Sequence, residues 1–239
     1  MFQRSNARRR LAQVAVATVL AIPTVGATTT MAFASPAVTR RADVQGPVAA
    51  ANQALSALRG PDGRVMTNAS FLDQARQFDQ AIGRPDVDPW QAVSGTPYVA
   101  QLAQLSVYVG ARSGVDSRQL LAVWVRTDSR RMVAVLSALA QLGTPYRTRG
   151  DQPGGFDCSG LFGYSWDQAG SAVPRNSGEI IRSARPVSAA QLQPGDVVWR
   201  SGHVQMYLGL GDATVHSPQH GRTVEVTNWG HVSRFGSVI

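Results

Sequence analysis

The sequence predicts an α+β protein, helical at first and built of antiparallel strands later. Three observations predict it. Apolar residues recur at helical spacing through residues 35–127, two more helical patterns follow between 128 and 170, and from Gln193 onward short alternating runs are separated by turns containing Gly or Pro.

The segment ahead of the first helix has a different character. Arg4, Arg8, Arg9 and Arg10 form a positive cluster with no acid near it, and Leu11 to Pro23 is mostly apolar but too short to span a bilayer. Ala32-Phe33-Ala34 is a small-x-small site of the kind signal peptidase cuts. Residues 1–34 therefore read as a secretory signal peptide. The mature chain is expected in the cell envelope or outside the cell, with no stable membrane insertion after cleavage. Losing those four arginines takes the formal net charge from +8 to +4. The remaining arginines are scattered rather than gathered on a face with aromatics, which argues against nucleic acid as a partner. With 1 cysteine there is no intramolecular disulfide, so a lone thiol in an oxidising compartment must be buried or put to use.

Residues 35–127 read as an all-helical N-terminal region. Pro47 to Leu58 is alanine-rich. Ser70 and Asp73 make a capping pair before Phe71, Ala75, Phe78 and Ile82, and Gly83 ends that helix. Thr96-Pro97 opens another, with Val99, Leu102, Ala103 and Val109 on one stripe, and Ser117 to Val125 forms a shorter one. Nothing here carries chemistry; Trp90, Trp124 and Tyr108 read as core.

The second part, residues 128–239, opens with Asp128 capping a helix whose apolar positions Met132, Val135, Leu136 and Leu139 run toward Gly143. A Gly- and Pro-rich loop leads into a helix that begins at Cys158, with Leu161, Ser165, Trp166 and Ala169 on one face. The free amides and positive dipole end of a helix N-terminus favour a thiolate and can bind a developing oxyanion. Downstream, Gln193 to Asp196 is a turn, Val197 to Trp199 a strand, and His203 to Leu208 a second strand. There Val204, Met206 and Leu208 alternate with His203, Gln205 and Tyr207, as in a half-buried antiparallel strand. An even-length turn before Ala213 to Ser217 puts His216 opposite or diagonal to His203, with roughly 4.5 to 8 Å between Cβ atoms. His220 and His231 read as surface residues. Pro218 rules out a helical His216/His220 metal pair and no carboxylate cluster adjoins them, so neither a metal nor another cofactor is expected.

Five runs in order carry a resemblance: Gly-Thr-Pro-Tyr at 143–146, Gly-Gly-Phe-Asp-Cys-Ser-Gly-Leu at 154–161, Pro-Arg-Asn-Ser at 174–177, Pro-Gly-Asp-Val-Val at 194–198 and Gly-His-Val-Gln-Met-Tyr-Leu-Gly at 202–209. Residues 128–239 thereby resemble the NlpC/P60 family of cysteine peptidases. The resemblance implies a papain-like α+β fold with the Cys helix packed on an antiparallel sheet. It implies Cys158 as nucleophile, His203 as base and His216 as the residue orienting the imidazole. Tyr146 matches a tyrosine beside the nucleophile that binds oxyanion or substrate, and Asp157 and Ser159 match substrate contacts. The substrate implied is the peptidoglycan stem peptide, cut between D-γ-glutamate and diaminopimelate. Two departures stand out: His216 lies thirteen residues after His203 where the family pattern has about twelve, and Ser177-Gly178-Glu179-Ile180 stands where that pattern has a glutamine. Two other function classes fit the same scaffold: an amidase or acyltransferase using the Cys-His pair, and a non-catalytic wall-binding protein, which would require loss of Cys158 or His203. The N-terminal helices either restrain access to Cys158 or only support the fold.

Overall fold

The computed structural model describes residues 41–59 and 97–239, all belonging to one compact unit. The signal-peptide reading of residues 1–34, the helix read at Ser70–Ile82 and Trp90 lie outside the described residues. Four helices come first: α1 (Arg41–Leu58), α2 (Pro97–Ser113), α3 (Ser117–Trp124) and α4 (Ser129–Leu139). A two-stranded ribbon follows, β1 (Asp151–Gln152) and β2 (Gly155–Phe156), then α5 (Cys158–Gln168) and α6 (Ser177–Ser183). The remaining strands are β3 (Arg185–Pro186), β4 (Val197–Arg200), β5 (His203–Tyr207), β6 (Ala213–His216), β7 (Glu225–Asn228) and β8 (Arg234–Ser237). They form one six-stranded sheet in the order β3-β8-β4-β5-β6-β7, with every pairing antiparallel. The α+β class read from the sequence is the fold observed. Among the described residues, no helix is long and apolar enough to cross a membrane.

Local chemistry accounts for the boundaries. Asp128 accepts from the Arg130 and Arg131 amides at 3.0 and 3.1 Å and so starts α4, which ends at Leu139 rather than near Gly143 because the last residues tighten into turns. Helix α1 begins at Arg41, ahead of the expected start at Pro47. Helix α6 carries little periodic signal in its seven residues and is not foreseen; Asn176 caps it by accepting from the Glu179 amide at 2.9 Å.

Helix α4 is the hub: ten of its eleven residues are buried, with α1 packed on one side and α5 on another. Helix α5 in turn packs on β1 and β5, which sets Cys158 against the start of β5. An ion pair locks this arrangement. Arg131 on α4, 4% exposed, donates to the Asp196 carboxylate at 2.7 Å, to the Pro194 carbonyl at 2.9 Å and to Ser237 at 2.8 Å. Burying two charges is costly unless they are paired and their other donors are used, as here.

Strand β5 corrects one expectation. His203, Gln205 and Tyr207 were expected to face solvent, yet His203 and Tyr207 are buried and Gln205 is half-buried. The strand is interior to the sheet, flanked by β4 and β6; the His216 ring lies against His203 with centroids 5.0 Å apart, and Trp229 covers Tyr207 at 5.6 Å.

Candidate active site

Cys158 is the first residue of α5, and its position is set by the residue before it. Asp157 is the N-cap: its Oδ1 accepts from the Gly160 amide at 2.7 Å. Gly160 is required by close approach, since a Cβ there would sit 1.9 Å from the Gly150 carbonyl oxygen. The Asp-Cys-Ser-Gly run thus presses the helix start against the preceding loop.

Arg175, from the Pro-Arg-Asn-Ser run, clamps the same corner. Its Nη1 and Nη2 donate to Asp157 Oδ1 and Oδ2, each at 3.0 Å, Nη1 donates to Ser159 Oγ at 2.9 Å, and Nη2 donates to the Gly150 carbonyl at 3.2 Å. Asp157 and Ser159, expected as substrate contacts, have polar atoms turned to Arg175 and to each other, with Ser159 Oγ donating to Asp157 Oδ1 at 3.0 Å. Burial pushes the Asp157 carboxyl up, but the Arg175 donors and the Gly160 amide outweigh it and hold the group below the usual carboxylate range. This role of Arg175 is not legible in the sequence, because a bidentate guanidinium partner for Asp157 leaves no local spacing signal.

The thiol is partly covered, bordered by Leu161, Phe162, Val204 and Met206. The main-chain N–H groups of Val204, Ser159 and Cys158 face the sulfur and favour its charged form. Burial is the larger effect and pushes the Cys158 thiol up from its ordinary value. The thiolate favoured by the helix N-terminus is therefore not the resting form; the resting site holds a neutral thiol. Tyr146 is half-buried, tied to Arg222 by its backbone amide at 2.8 Å. Burial, then the charges of Cys158 and Asp157, push its phenol up.

His203 follows the Ser201-Gly202 turn and directly precedes Val204, whose amide faces the thiol. Burial, the His216 ring and the Arg200 charge together lower its pKa to about 3, so the imidazole is neutral at ordinary pH. Among the described residues no hydrogen bond joins it to Cys158, an open arrangement that proton transfer must close. Its Nε2 lies 2.7 Å from His216 Nδ1. The register Met206 to Val215 places His216 opposite Gln205 and thus diagonal to His203, one of the two placements foreseen.

The polar row continues beyond the two histidines. Gln205 Nε2 is 3.1 Å from His216 Nδ1, and Glu225 on β7 pairs directly with His216. Glu225 Oε1 lies 3.6 Å from His216 Nε2 and is ion-paired with Arg222. Burial raises the Glu225 carboxyl, but the His216 and Arg222 contacts override it and hold it below the usual range, so it is ionised. Glu225 was missed because nothing local marks it; only the β6/β7 register brings it beside His216. His220 and His231 are exposed, as expected of surface residues. Trp124 is fully buried in the core, as read.

Part of the chain is similar to known proteins. Residues 143–234 match the model of the NlpC/P60 family. A probable endopeptidase of Mycobacterium tuberculosis is 42% identical over 99 residues, covering 40% of this chain and 26% of that protein. The murein DD-endopeptidase MepH of Escherichia coli is 35% identical over 107 residues, covering 40% of this chain and 39% of that protein. The chain thus spans well under half the length of either relative. Among solved structures, the NlpC/p60 domain of the peptidoglycan hydrolase SagA is 31% identical, with 45% of this chain and 97% of that one covered and a TM-score of 0.42. Beginning at the turn that closes α4 and running into β8, the matched stretch takes in the thiol, both histidines and Glu225, so the part of the chain that carries the site is the part that matches the NlpC/P60 family.

Proposed function

We propose that this chain is an exported cysteine endopeptidase that hydrolyses the stem peptides of peptidoglycan, with residues 1–34 as signal peptide, 35–127 as a helical N-terminal region and 128–239 as the catalytic domain. The observation carrying this reading is the meeting of one thiol, at a helix start, with a buried, neutral, hydrogen-bonded imidazole. In this mechanism Cys158 is the nucleophile and His203 the general base. As the sulfur attacks the peptide carbonyl, its proton passes to His203 and the carbonyl oxygen becomes an oxyanion. The Cys158 amide and the Tyr146 phenol are the donors available to it. The C–N bond then breaks, His203 returns the proton to the leaving amine, and water hydrolyses the thioester by the reverse sequence. His216 holds the imidazole. Asp157 and Ser159 act with Arg175 to hold the nucleophile's corner and to edge the substrate cleft.

The bond proposed is D-γ-glutamyl to diaminopimelate, as the family resemblance implies. A second reading, cleavage of a cross-link, is favoured by the similarity to a protein named as a murein DD-endopeptidase. Digestion of purified peptidoglycan with mass spectrometry of the fragments separates them: loss of the stem beyond D-glutamate is the expected product, whereas intact stems freed from cross-links mark the other bond. Cys158→Ala is expected to abolish release, His203→Ala to cost nearly as much because the two act as a unit, and His216→Ala to cost less. Full activity in Cys158→Ala overturns the mechanism. Transfer of the acyl group to an added amine without net hydrolysis would assign an acyltransferase instead.

A further inference from the structure

We propose that Glu225 is a positioning residue that sets the protonation pattern of both histidines: it holds a proton on His216 Nε2, which leaves His216 Nδ1 to accept from His203 Nε2 and leaves His203 Nδ1 bare to take the thiol proton. This rests on the reading of His203 as the base, but its first consequence, the tautomer of each ring, can be read without any substrate.

The geometry permits two assignments. Between His203 Nε2 and His216 Nδ1, 2.7 Å apart, one nitrogen carries the shared proton and the other accepts it. If His216 carried it on Nδ1, its bare Nε2 would face the Glu225 carboxylate 3.6 Å away, lone pair against anion, in a place where both side chains are about nine-tenths buried. His216 Nε2 has no closer partner, so nothing would offset that repulsion. With the proton on Nε2 the same contact becomes N–H facing carboxylate, and modest ring rotation closes it to a hydrogen bond. His216 Nδ1 is then the acceptor for His203 Nε2–H. The Gln205 amide nitrogen, 3.1 Å from the same atom, adds a second donor; with either orientation of that amide the carboxylate decides the assignment.

Arg222 makes the device directional. Its guanidinium pairs with Glu225 Oε1, the same oxygen that faces His216, and keeps the carboxylate in register with the ring. The arrangement matters most once His203 takes the thiol proton. The imidazolium then donates from Nε2 toward His216, whose far side rests on an anion rather than on a neutral group, so the positive charge is stabilised along the row.

The test is to label the histidines with nitrogen-15 and read the tautomers of His203 and His216 from long-range proton–nitrogen correlations at neutral pH. In the wild-type protein both rings are expected to carry the proton on Nε2. In Glu225→Leu no carboxylate is left beside His216 Nε2, and the freed Arg222 guanidinium favours a lone pair there. That ring is expected to flip to the Nδ1–H form, which in turn drives the His203 proton onto Nδ1. On peptidoglycan fragments kcat should fall about 10-fold to 100-fold with KM little changed. A wild-type His216 protonated on Nδ1, or tautomers identical in wild type and Glu225→Leu, overturns the proposal. The wild-type spectrum alone decides if the variant does not fold. Wild-type protein that shows the stated tautomers but fails to cut peptidoglycan would leave the positioning role intact and refute the peptidase reading, so the two failures are distinct.

Discussion

At the scale of single residues, the thiol and the base answer to opposing forces. The helix N-terminus and three backbone amides favour a thiolate at Cys158, while burial disfavours it, and burial wins. The neighbouring His203 is likewise held neutral. A neutral pair calls for proton transfer coupled to attack rather than a standing thiolate–imidazolium pair. Alkylation by iodoacetamide tests this. Its rate at Cys158 is expected to rise with pH through a midpoint above the ordinary thiol value of about 8.5. A fast, pH-independent plateau near neutrality would show the opposite balance. The depressed His203 also makes folding pH-dependent. The unfolded ring takes a proton near its ordinary value while the folded one resists until about 3, so this contribution to stability is present above the ordinary value and is lost as pH falls through that window. The measurement is a series of melts between neutral and acid pH in wild type and His203→Gln. The variant is expected to lack that part of the acid loss; identical slopes would show that His203 titrates normally.

At the scale of elements, the start of α5 shows how much of the site the sequence could tell. Asp157 before an apolar-faced run is a legible cap, and the structure uses it as one. The alternation of β5 and an even turn were enough to bring His216 to His203, because strand geometry has a fixed period. Arg175 and Glu225 were not legible in the same way. One reaches Asp157 from the loop before α6 and the other reaches His216 across the β6/β7 pairing, and neither contact has a local spacing rule. The solvent exposure of β5 was misread because alternation reports which face is polar, not whether something covers it. The element-scale expectation concerns Gly160. Adding a methyl group at 1.9 Å from the Gly150 oxygen forces the loop and the helix start apart, since neither partner is a flexible side chain. Gly160→Ala is expected to cost about 1–3 kcal/mol of stability in denaturant melts, in the range of overpacked sites, and to depress peptidase activity by displacing Cys158. An alanine variant with wild-type stability would show that the close approach is not maintained in solution.

At the scale of the whole molecule, the question is whether the helices before Asp128 restrain the site or complete the fold. Their contacts favour completion. Helix α1 packs on α2 and α4, α2 packs on β7, and the Trp124 indole at the end of α3 donates to the Leu208 carbonyl at 2.6 Å, just past β5. Arg59 donates to the Gln168 carbonyl at 2.7 Å, at the end of α5 away from Cys158. Tyr108 on α2 lies near enough to Glu225 for the carboxylate to help raise its phenol, after burial, so the helical region also borders the end of the histidine row. Removing residues up to 127 would uncover the α1-facing side of α4, a helix with ten buried residues of eleven, together with part of β7. Each fully buried aliphatic side chain is worth about 1.5–3 kcal/mol, so uncovering a few of them is comparable to the whole stability of a domain. A chain beginning at Asp128 is therefore expected to aggregate or to melt far below the mature protein, and to gain no activity per folded molecule. Expression of both forms, with sedimentation, melting and peptidoglycan digestion compared side by side, provides the measurement. A soluble truncated chain that melts like the mature protein and digests faster would return the helices to a restraining role, because only a barrier to Cys158, and not a missing piece of core, can be removed at a profit in rate.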